Sequence, residues 1–427
     1  MILLLLLAAA LILGGLLSLN SGLLLLAVPF LLFIGLTVLS APPEPRLRIV
    51  QRLSTDRTLA GQPVSLTLDV INDGRPLESA LIRIDLPPGL VAAEGDTAIL
   101  TALGAEETRT LHLELRPARG VYTFNPVLIA AADHLNLARQ SVEVLPTGDT
   151  TLEVLPEVPR LPPVAIRPMR TRIYAGNIPA RVGGSGIEFY GLRPHQAGDS
   201  LRHINWRTVA RYGDAVYTNE YEQERIADVN LVLDNRASTN QLLPNLSIFD
   251  YGAQAAAALA EAFLGGGNRV SLLLYGHLLD WIPPGYGKIQ RERILRALAR
   301  AQTGSSQVFK TFQYLPTRFF PGRTQIVLVS SLVSEQPAHI IQLRGRGYEV
   351  LIVSPNPVAL EARMLGESQP VALARRTAAL ERLVLMRRLR QAGIRVVDWD
   401  VTQQSLAEAV NTSLARQPVF TRPFGVL

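Results

Sequence analysis

Two long apolar runs at the amino terminus constrain the fold of this chain more than any other feature. Residues 2–19 and 23–39 carry no charged side chain and almost no polar one. Each run is close to the roughly 20 residues needed to cross about 30 Å of hydrocarbon. A short polar break at residues 18–22 separates them. The pattern predicts a transmembrane α-hairpin over residues 1–40.

The charges beside these runs predict how the chain is oriented. A secretory signal is the alternative interpretation of the first run, but no Lys or Arg precedes it. Lys and Arg close to a span favour the cytoplasmic side of the membrane. We therefore expect a two-pass protein of the inner or plasma membrane with a cytoplasmic body. Four arginines follow the second run: Arg46, Arg48, Arg52 and Arg57.

Composition excludes several classes of function. The chain has no cysteine, so it can form no disulfide framework and offers no thiol nucleophile. The net charge of +6 indicates affinity for anionic surfaces. Because the predicted hairpin already places the chain at a bilayer, we interpret this charge as complementing anionic headgroups. A lipid bilayer is thus an expected partner, and nucleic acid is not.

The region from 46 to 146 has the pattern of an all-β domain. Apolar and polar residues alternate over 64–70, 81–86 and 108–115, as half-buried strands require. Turn signals rich in Gly, Pro, Asn and Asp separate these runs. Short alternating strands at this spacing predict a β-sandwich of roughly 100 residues.

A proline-rich stretch after residue 155 begins a linker, and the pattern changes again near residue 227. We assign 147–226 to the linker and a denser segment within it. From Asp228 onward, apolar strands alternate with helices, which predicts an α/β doubly wound domain over 227–427. The fold class is therefore multi-domain, with a transmembrane α-hairpin, an all-β sandwich and an α/β domain.

The first α/β strand ends in an acid. In doubly wound sheets, ligands bind at the carboxyl ends of the strands. Asp234 and Ser238 lie there, and carboxylate and hydroxyl oxygens are ligands that Mg²⁺ accepts. The same residues can instead cap the loop and the next helix. Both interpretations remain open from the residues alone.

Residues 188–211 form the densest polar and aromatic segment of the chain. One interpretation is an ordered connector, in which Trp206 is packed against a domain. Glu188 and Asp199 would then pair with Arg202, Arg207 or Arg211. The other is a partner-binding surface, because Trp, Tyr and Arg dominate interface hot spots. The candidate partner-binding residues are Glu188, Arg193, Asp199, Arg202, Asn205, Trp206 and Arg211.

Motifs of common enzymes are missing from the sequence. It has no HExxH zinc motif, no Gly-rich loop ending in Lys-Ser/Thr and no serine on a glycine-flanked elbow. The arginine-rich helix near 372–392 could bind an anion. We interpret it instead as a solvated face opposite Leu373, Leu380 and Val384.

Residues 188–211 resemble the signature of the bacterial "domain of unknown function 58" family, roughly E-F-x-x-L-R-x-Y-x-x-G-D-x-x-R-x-I-N/H-W-x-x-x-A-R. His195 stands where that pattern has an aromatic residue. The matching residues are Glu188, Phe189, Leu192, Arg193, Gly198, Asp199, Arg202, Ile204, Asn205, Trp206, Ala210 and Arg211.

The resemblance implies that the α/β region is similar to a von Willebrand factor A domain. In that fold a D-x-S-x-S motif binds a metal ion, which recruits an acidic group from a partner. Asp234 and Ser238 match its ends, but Arg236 replaces the middle serine. A guanidinium there would repel Mg²⁺, so we expect no cofactor.

Family members are often encoded beside MoxR-type AAA+ ATPases, which implies an assembly or chaperone role. The leading hypothesis is therefore a membrane-anchored, non-enzymatic scaffold or adaptor that binds a protein partner through its von Willebrand factor A-like domain. The alternative is a membrane-bound hydrolase with an unrecognised site near Asp199 and His203.

Overall fold

The chain divides into two compact units, Met1–Leu155 and Pro156–Leu427. The computed structural model describes residues 2–39, 44–132, 139–164, 172–213, 215–240, 242–243, 246–276, 279–322, 324–333, 335–365 and 368–415.

Two apolar helices form a hairpin at the start of the first unit. Helix α1 spans Ile2–Ser18 and helix α2 spans Ser21–Leu39. The helices approach closely at Gly15, where a Cβ atom would lie 2.9 Å from Cγ of Leu24. Ala8, two turns earlier, is 2% exposed, so small residues line the buried side of α1. No described helix has both the length and the apolar character needed to cross a membrane.

The rest of the first unit consists of short strands. Their order in the two larger sheets is β11-β1-β3-β7-β5 and β10-β9-β4-β6, and a third sheet has the order β2-β12-β8. The strands are β1 Leu47–Leu53, β2 Arg57–Leu59, β3 Val64–Asn72, β4 Leu77–Arg83, β5 Leu90–Glu94, β6 Ala98–Leu103, β7 Thr108–Pro117, β8 Gly120–Thr123, β9 Val127–Ala132, β10 Arg139–Val144, β11 Thr147–Gly148 and β12 Thr151–Leu155.

The period-2 pattern of these strands explains their shared core. In β3 every second residue from Val64 to Asn72 is buried, because successive side chains point to opposite faces of a sheet. Apolar residues of β3 join those of β4 and β9, such as Ile82 and Ile129, in one cluster. Strand β12 pairs with β2 and β8 within this unit. The sequence-based assignment of its residues to the linker was therefore wrong.

The second unit begins with a long antiparallel pair and continues as an α/β sheet. The pair consists of β13 Arg172–Pro194 and β14 Tyr217–Ile226, and helix α3 Trp206–Tyr212 lies in the connection between them. The later elements are β15 Asp228–Asp234, β16 Leu242–Leu243, β17 Leu246–Ser247, α4 Ile248–Gly265, β18 Arg269–Tyr275, β19 Asp280–Gly285, α5 Gly287–Arg300, β20 Gln325–Val329, α6 Pro337–Gly345, β21 Glu349–Pro355, α7 Pro357–Met364, α8 Gln369–Gln391, β22 Arg395–Trp399 and α9 Leu406–Ala415.

The six-stranded sheet of this unit has the order β19-β18-β15-β20-β21-β22. All residues of β15 and β20 are buried, which explains why these strands are rich in Val, Leu and Ile. The direction of strand order reverses between them, and ligands bind at such a point in open α/β sheets. Asp234 and Ser330 lie at the carboxyl ends of these two strands.

Two features of the α/β unit also depart from the sequence-based predictions. Strand β19 is antiparallel to β18, whereas an all-parallel sheet was expected. Its place at the sheet edge accommodates the consecutive prolines at 283 and 284, which cannot donate to a neighbouring strand.

The second departure concerns helix α8, whose arginines were expected to form a solvated face opposite Leu373, Leu380 and Val384. These three side chains are instead 67%, 63% and 45% exposed, and Arg382 is buried. The guanidinium of Arg382 donates to Asp398 at 2.7 Å and to the hydroxyl of Ser354 at 2.9 Å. These polar partners lie on β22 and β21, and they compensate the burial of the charge.

Candidate functional site

The centre of the signature segment is a bidentate ion pair. Arg193 lies next to the carboxyl end of β13. Its Nη1 and Nη2 atoms each donate to one carboxylate oxygen of Asp199 at 2.7 Å. The backbone N–H of Gln196 also donates to Asp199, at 2.8 Å. The hydrogen bonds from Arg193, which have the largest effect, and from Gln196 lower the pKa of Asp199 to about 2. The carboxylate therefore stays ionised and fixes the β13–α3 connection.

The neighbouring strand extends this polar framework. Nε of Arg193 lies 3.6 Å from a carboxylate oxygen of Glu220 on β14. Nδ1 of His195 lies 2.8 Å from the hydroxyl of Thr218, which is also on β14. The pairing of Arg193 with Thr218 across the two strands brings these groups together. The connection is thus tied to both strands.

Asn205 fixes the start of helix α3. Its side-chain oxygen accepts from the backbone N–H of Thr208 at 3.0 Å, which is an N-cap. Its amide nitrogen donates to the side chain of Asn219 at 2.8 Å. Ile204, directly before it, is 7% exposed and anchors the segment. The segment is therefore ordered by internal contacts.

Large apolar side chains project from this framework into solvent. Trp206 is 66% exposed although it is the first residue of α3. The interpretation in which Trp206 is packed against a domain therefore does not describe the observed geometry. We name the following set the signature surface: Phe189, Tyr190, Leu192, Leu201, Trp206 and Tyr212, each at least 43% exposed.

Asp199 has a different partner from those considered in the sequence. Arg202, Arg207 and Arg211 were the candidates, and the observed partner is Arg193. Arg202 and Arg211 are exposed beside the signature surface. The side chain of Glu188 lies outside the described residues.

A second polar cluster lies where the strand order reverses in the α/β sheet. Asp234 is 1% exposed, and it accepts from Nε and Nη2 of Arg236 at 2.9 and 2.8 Å. The hydroxyl of Ser330 donates to the same carboxylate at 2.6 Å. Nη1 of Arg236 donates to Glu335 at 3.0 Å. We call Asp234, Arg236, Ser330 and Glu335 the carboxyl-edge cluster.

The surroundings of Arg236 hold its guanidinium in place. The central carbon lies 4.3 Å from the ring centroid of Phe312. Gly276 has a φ of 149°, and a Cβ atom there would lie 2.4 Å from the backbone nitrogen of Arg236. Burial lowers the pKa of Arg236, but the hydrogen bonds and charges of Asp234 and Glu335 outweigh it and raise the pKa overall. Arg236 thus remains a permanent internal cation.

The carboxyl-edge cluster does not fit a divalent cation. Both carboxylate oxygens of Asp234 already accept from the Arg236 guanidinium, whose positive charge opposes Mg²⁺. Ser238, the other predicted ligand, is exposed. Across the described residues, no group of three or more His, Asp or Glu side chains is arranged to hold a metal ion.

Sequence reasoning missed two members of this cluster. Neither Ser330 nor Glu335 was among the residues that the sequence predicted for this site. Glu335 lies 99 residues from Arg236 along the chain. The sequence does show that Glu335 follows β20 closely. Because β20 pairs in parallel with β15, the loop after β20 lies beside the end of β15, and this placement could have pointed to Glu335.

The predicted enzymatic alternative rests on Asp199 and His203. The carboxylate of Asp199 is held by Arg193 and Gln196. The ring of His203 makes an edge contact with Tyr221, at 5.3 Å between centroids. The two side chains therefore have separate contacts, Asp199 with Arg193 and Gln196 and His203 with Tyr221.

The geometry defines a class of protein: a β unit followed by an α/β unit, with an arginine-filled carboxyl edge and an exposed aromatic segment. Residues 191–364 match the family described as "Protein of unknown function DUF58". The matched range contains most of the signature segment and the whole carboxyl-edge cluster. This finding supports the resemblance drawn from the signature residues.

No curated protein matches the chain significantly. Among solved structures, the CARDB domain of the PF1109 protein from Pyrococcus furiosus, in complex with di-metal ions, is 17% identical. The match covers 27% of this chain and 92% of that one, with a TM-score of 0.19. Escherichia coli alpha-2-macroglobulin activated by porcine elastase is also 17% identical, over 37% of this chain and 12% of that one, with a TM-score of 0.20. The PapD-like domain 7 of human CEP192 is 12% identical over 26% and 86%, with a TM-score of 0.17.

Proposed function

We propose that this protein is a membrane-anchored, non-enzymatic scaffold or adaptor that binds a protein partner through the signature surface. The observation that carries the proposal is the exposure of Trp206, Leu201 and Tyr212 on a segment whose polar groups are satisfied internally. Exposed apolar side chains of this size, rimmed by arginines, are typical of protein interaction sites. A framework already ordered before binding lowers the entropic cost of association.

The proposed partner is a MoxR-type AAA+ ATPase, in an assembly or chaperone role. The family resemblance supports this choice, together with the von Willebrand factor A-like character that it implies for the α/β unit. Acid capture by a metal ion is not part of the proposal, because both carboxylate oxygens of Asp234 already accept from Arg236. The contact is therefore assigned to aromatic and arginine side chains.

Membrane attachment is proposed through the α1–α2 hairpin. Leu17, Leu25 and Leu32 are 84%, 75% and 67% exposed on it. A surface of exposed leucines is stable in hydrocarbon and unfavourable in water. The four arginines at 46–57 favour a cytoplasmic position for the body.

The alternative proposal is a hydrolase near Asp199 and His203. A general acid or base is most effective when its pKa lies near the working pH. The pKa of Asp199 is held at about 2, far below that range. This pKa argues against Asp199 as a general acid or base at neutral pH.

Co-purification from membranes tests the scaffold proposal. The intact chain is isolated as wild type, Trp206→Ala and Asp199→Ala, with Tyr286→Ala as the matched control. Tyr286 is an aromatic residue of the same unit, and it is 75% exposed. We expect one defined partner to be lost from the first two variants and retained by the control. If both variants keep every co-purifying protein, the docking surface is misassigned.

A further inference from the structure

One face of helix α8 packs against the rest of the α/β unit, and the opposite face is exposed. Arg382, Met386 and Leu389 are 8%, 2% and 0% exposed, and they form the buried face. Leu380 and Val384 lie two residues to either side of Arg382, about 200° around the helix. They therefore point away from the sheet, in agreement with their exposure.

The outward face forms a narrow stripe. Leu373, Leu380 and Val384 follow one another at spacings of seven and four residues, within about 40° of the helix circumference. Thr377 continues the stripe between them and is exposed. Apolar residues repeating at three- and four-residue spacing in a narrow seam are typical of helix–helix pairing.

The stripe is surrounded by positive charge. Helix α8 carries one acid, Glu381. Arg376 and Arg387 flank the stripe on one side. Leu383, which is 60% exposed, lies on the same side of the helix. The exposed arginines of α8 are Arg375, Arg376, Arg387, Arg388 and Arg390.

We propose that the outward stripe of α8 is a second docking site, which binds an acidic amphipathic helix of a partner protein. Leucines of that helix pack along Leu373, Leu380 and Val384, and its flanking carboxylates face Arg376 and Arg387. Electrostatic complementarity selects the partner and accelerates association.

Two other occupants fit this stripe less well. Pairing of α8 with a second copy would bring arginines against arginines, with one acid per helix to offset them. Helices that bind a membrane surface bury a broad apolar face. On α8, Arg376 and Arg387 lie between the stripe and Leu383, so the exposed apolar side chains do not form one continuous broad face. The opposite side of the helix is packed against the protein itself.

Synthetic peptides provide the test. The probe is a helical peptide with leucines at three- and four-residue spacing flanked by glutamates, and its counterpart has lysines at the same positions. Fluorescence anisotropy is measured with the full chain in detergent micelles. We expect the glutamate peptide to bind and the lysine peptide not to bind.

Variants make the test specific. Leu380→Ser combined with Val384→Ser should weaken binding of the glutamate peptide by about tenfold or more. Ile289→Ser, at a helical position 72% exposed on α5, is the control and should have no effect. Arg376→Glu with Arg387→Glu should reverse the preference toward the lysine peptide. The altered side chains are exposed, so circular dichroism should show an unchanged fold.

Equal binding of the two peptides, or binding that the Leu380 and Val384 changes leave intact, would overturn the proposal. The chain has no cysteine, so a Thr377→Cys variant carries one environment-sensitive fluorophore on the stripe. A blue shift produced by anionic lipid alone would assign the stripe to a bilayer. A blue shift that grows with the concentration of the chain alone would assign it to a second copy, and either result overturns the proposal. Trp206→Ala should leave peptide binding unchanged, which separates this site from the signature surface.

Discussion

The guanidinium of Arg193 donates to both carboxylate oxygens of Asp199 at 2.7 Å, and this pair fixes the segment that presents Trp206. Bidentate geometry adds orientation as well as energy to an ion pair. The exposed aromatic residues are therefore displayed by a framework with its own internal bonding.

The Arg193–Asp199 pair should give the signature segment a pH dependence. The folded pKa of Asp199 is about 2, below its ordinary value of 3.8, so ionised Asp199 stabilises the fold. This contribution is fully present above about pH 4 and is lost as the pH falls through about 2. Carboxyl NMR should find a midpoint near 2 in the wild type and a higher one in Arg193→Gln. The same midpoint in both proteins would remove Arg193 as the cause.

Loss of the buried guanidinium should destabilise the α/β unit strongly. Arg236→Met leaves Asp234 and Glu335 buried without their cation, and we expect a loss of about 3–5 kcal/mol in chemical denaturation. The control is Arg296→Met, which breaks a pair with Glu292 on α5 whose side chains are 52% and 33% exposed. That change should cost about 0.5 kcal/mol. Similar losses in the two variants would contradict the assigned role of Arg236.

Magnesium should not bind at the carboxyl edge of the wild-type chain. Arg236 occupies the carboxylate oxygens of Asp234 that a metal ion would need. Calorimetric titration with Mg²⁺ should therefore show no saturable heat. A clear micromolar binding curve that disappears in Asp234→Asn would show that Arg236 does not exclude the metal.

The arginines at 46–57 predict a cytoplasmic body. Protease added to sealed right-side-out vesicles should leave the body intact until detergent is added. Digestion from outside in intact vesicles would overturn this orientation. Inverted vesicles provide the control, because the predicted topology exposes the body on their outer surface.

Local patterns were sufficient for many of the elements. The alternation over residues 64–70 predicted a strand, and β3 spans Val64–Asn72. The run at 108–115 was also predicted as a strand, and β7 spans Thr108–Pro117. In these strands the alternation of buried and exposed positions follows the alternation of apolar and polar residues, so the sequence alone predicts the strand.

Contacts between distant residues could not be predicted in this way. The helical pattern of α8 favoured burial of its leucines, but Asp398 and Ser354 satisfy Arg382 inside the unit. Likewise, the sequence identified Asp234 as a candidate metal ligand at the end of a strand. The contact between Arg236 and Glu335 could not be predicted, because it depends on sheet topology. The exposure of Trp206 also depends on tertiary packing, so the sequence left both interpretations of it open.

Site-specific photo-cross-linking tests the central claim most directly. A photoreactive phenylalanine analogue replaces Trp206 in one version of the chain and Tyr286, 75% exposed in the same unit, in the other. Both are irradiated in native membranes, and the adducts are identified by mass spectrometry. The scaffold proposal predicts one defined protein adduct at position 206 that is missing at position 286. The same adducts at both positions, or none at 206, would contradict it.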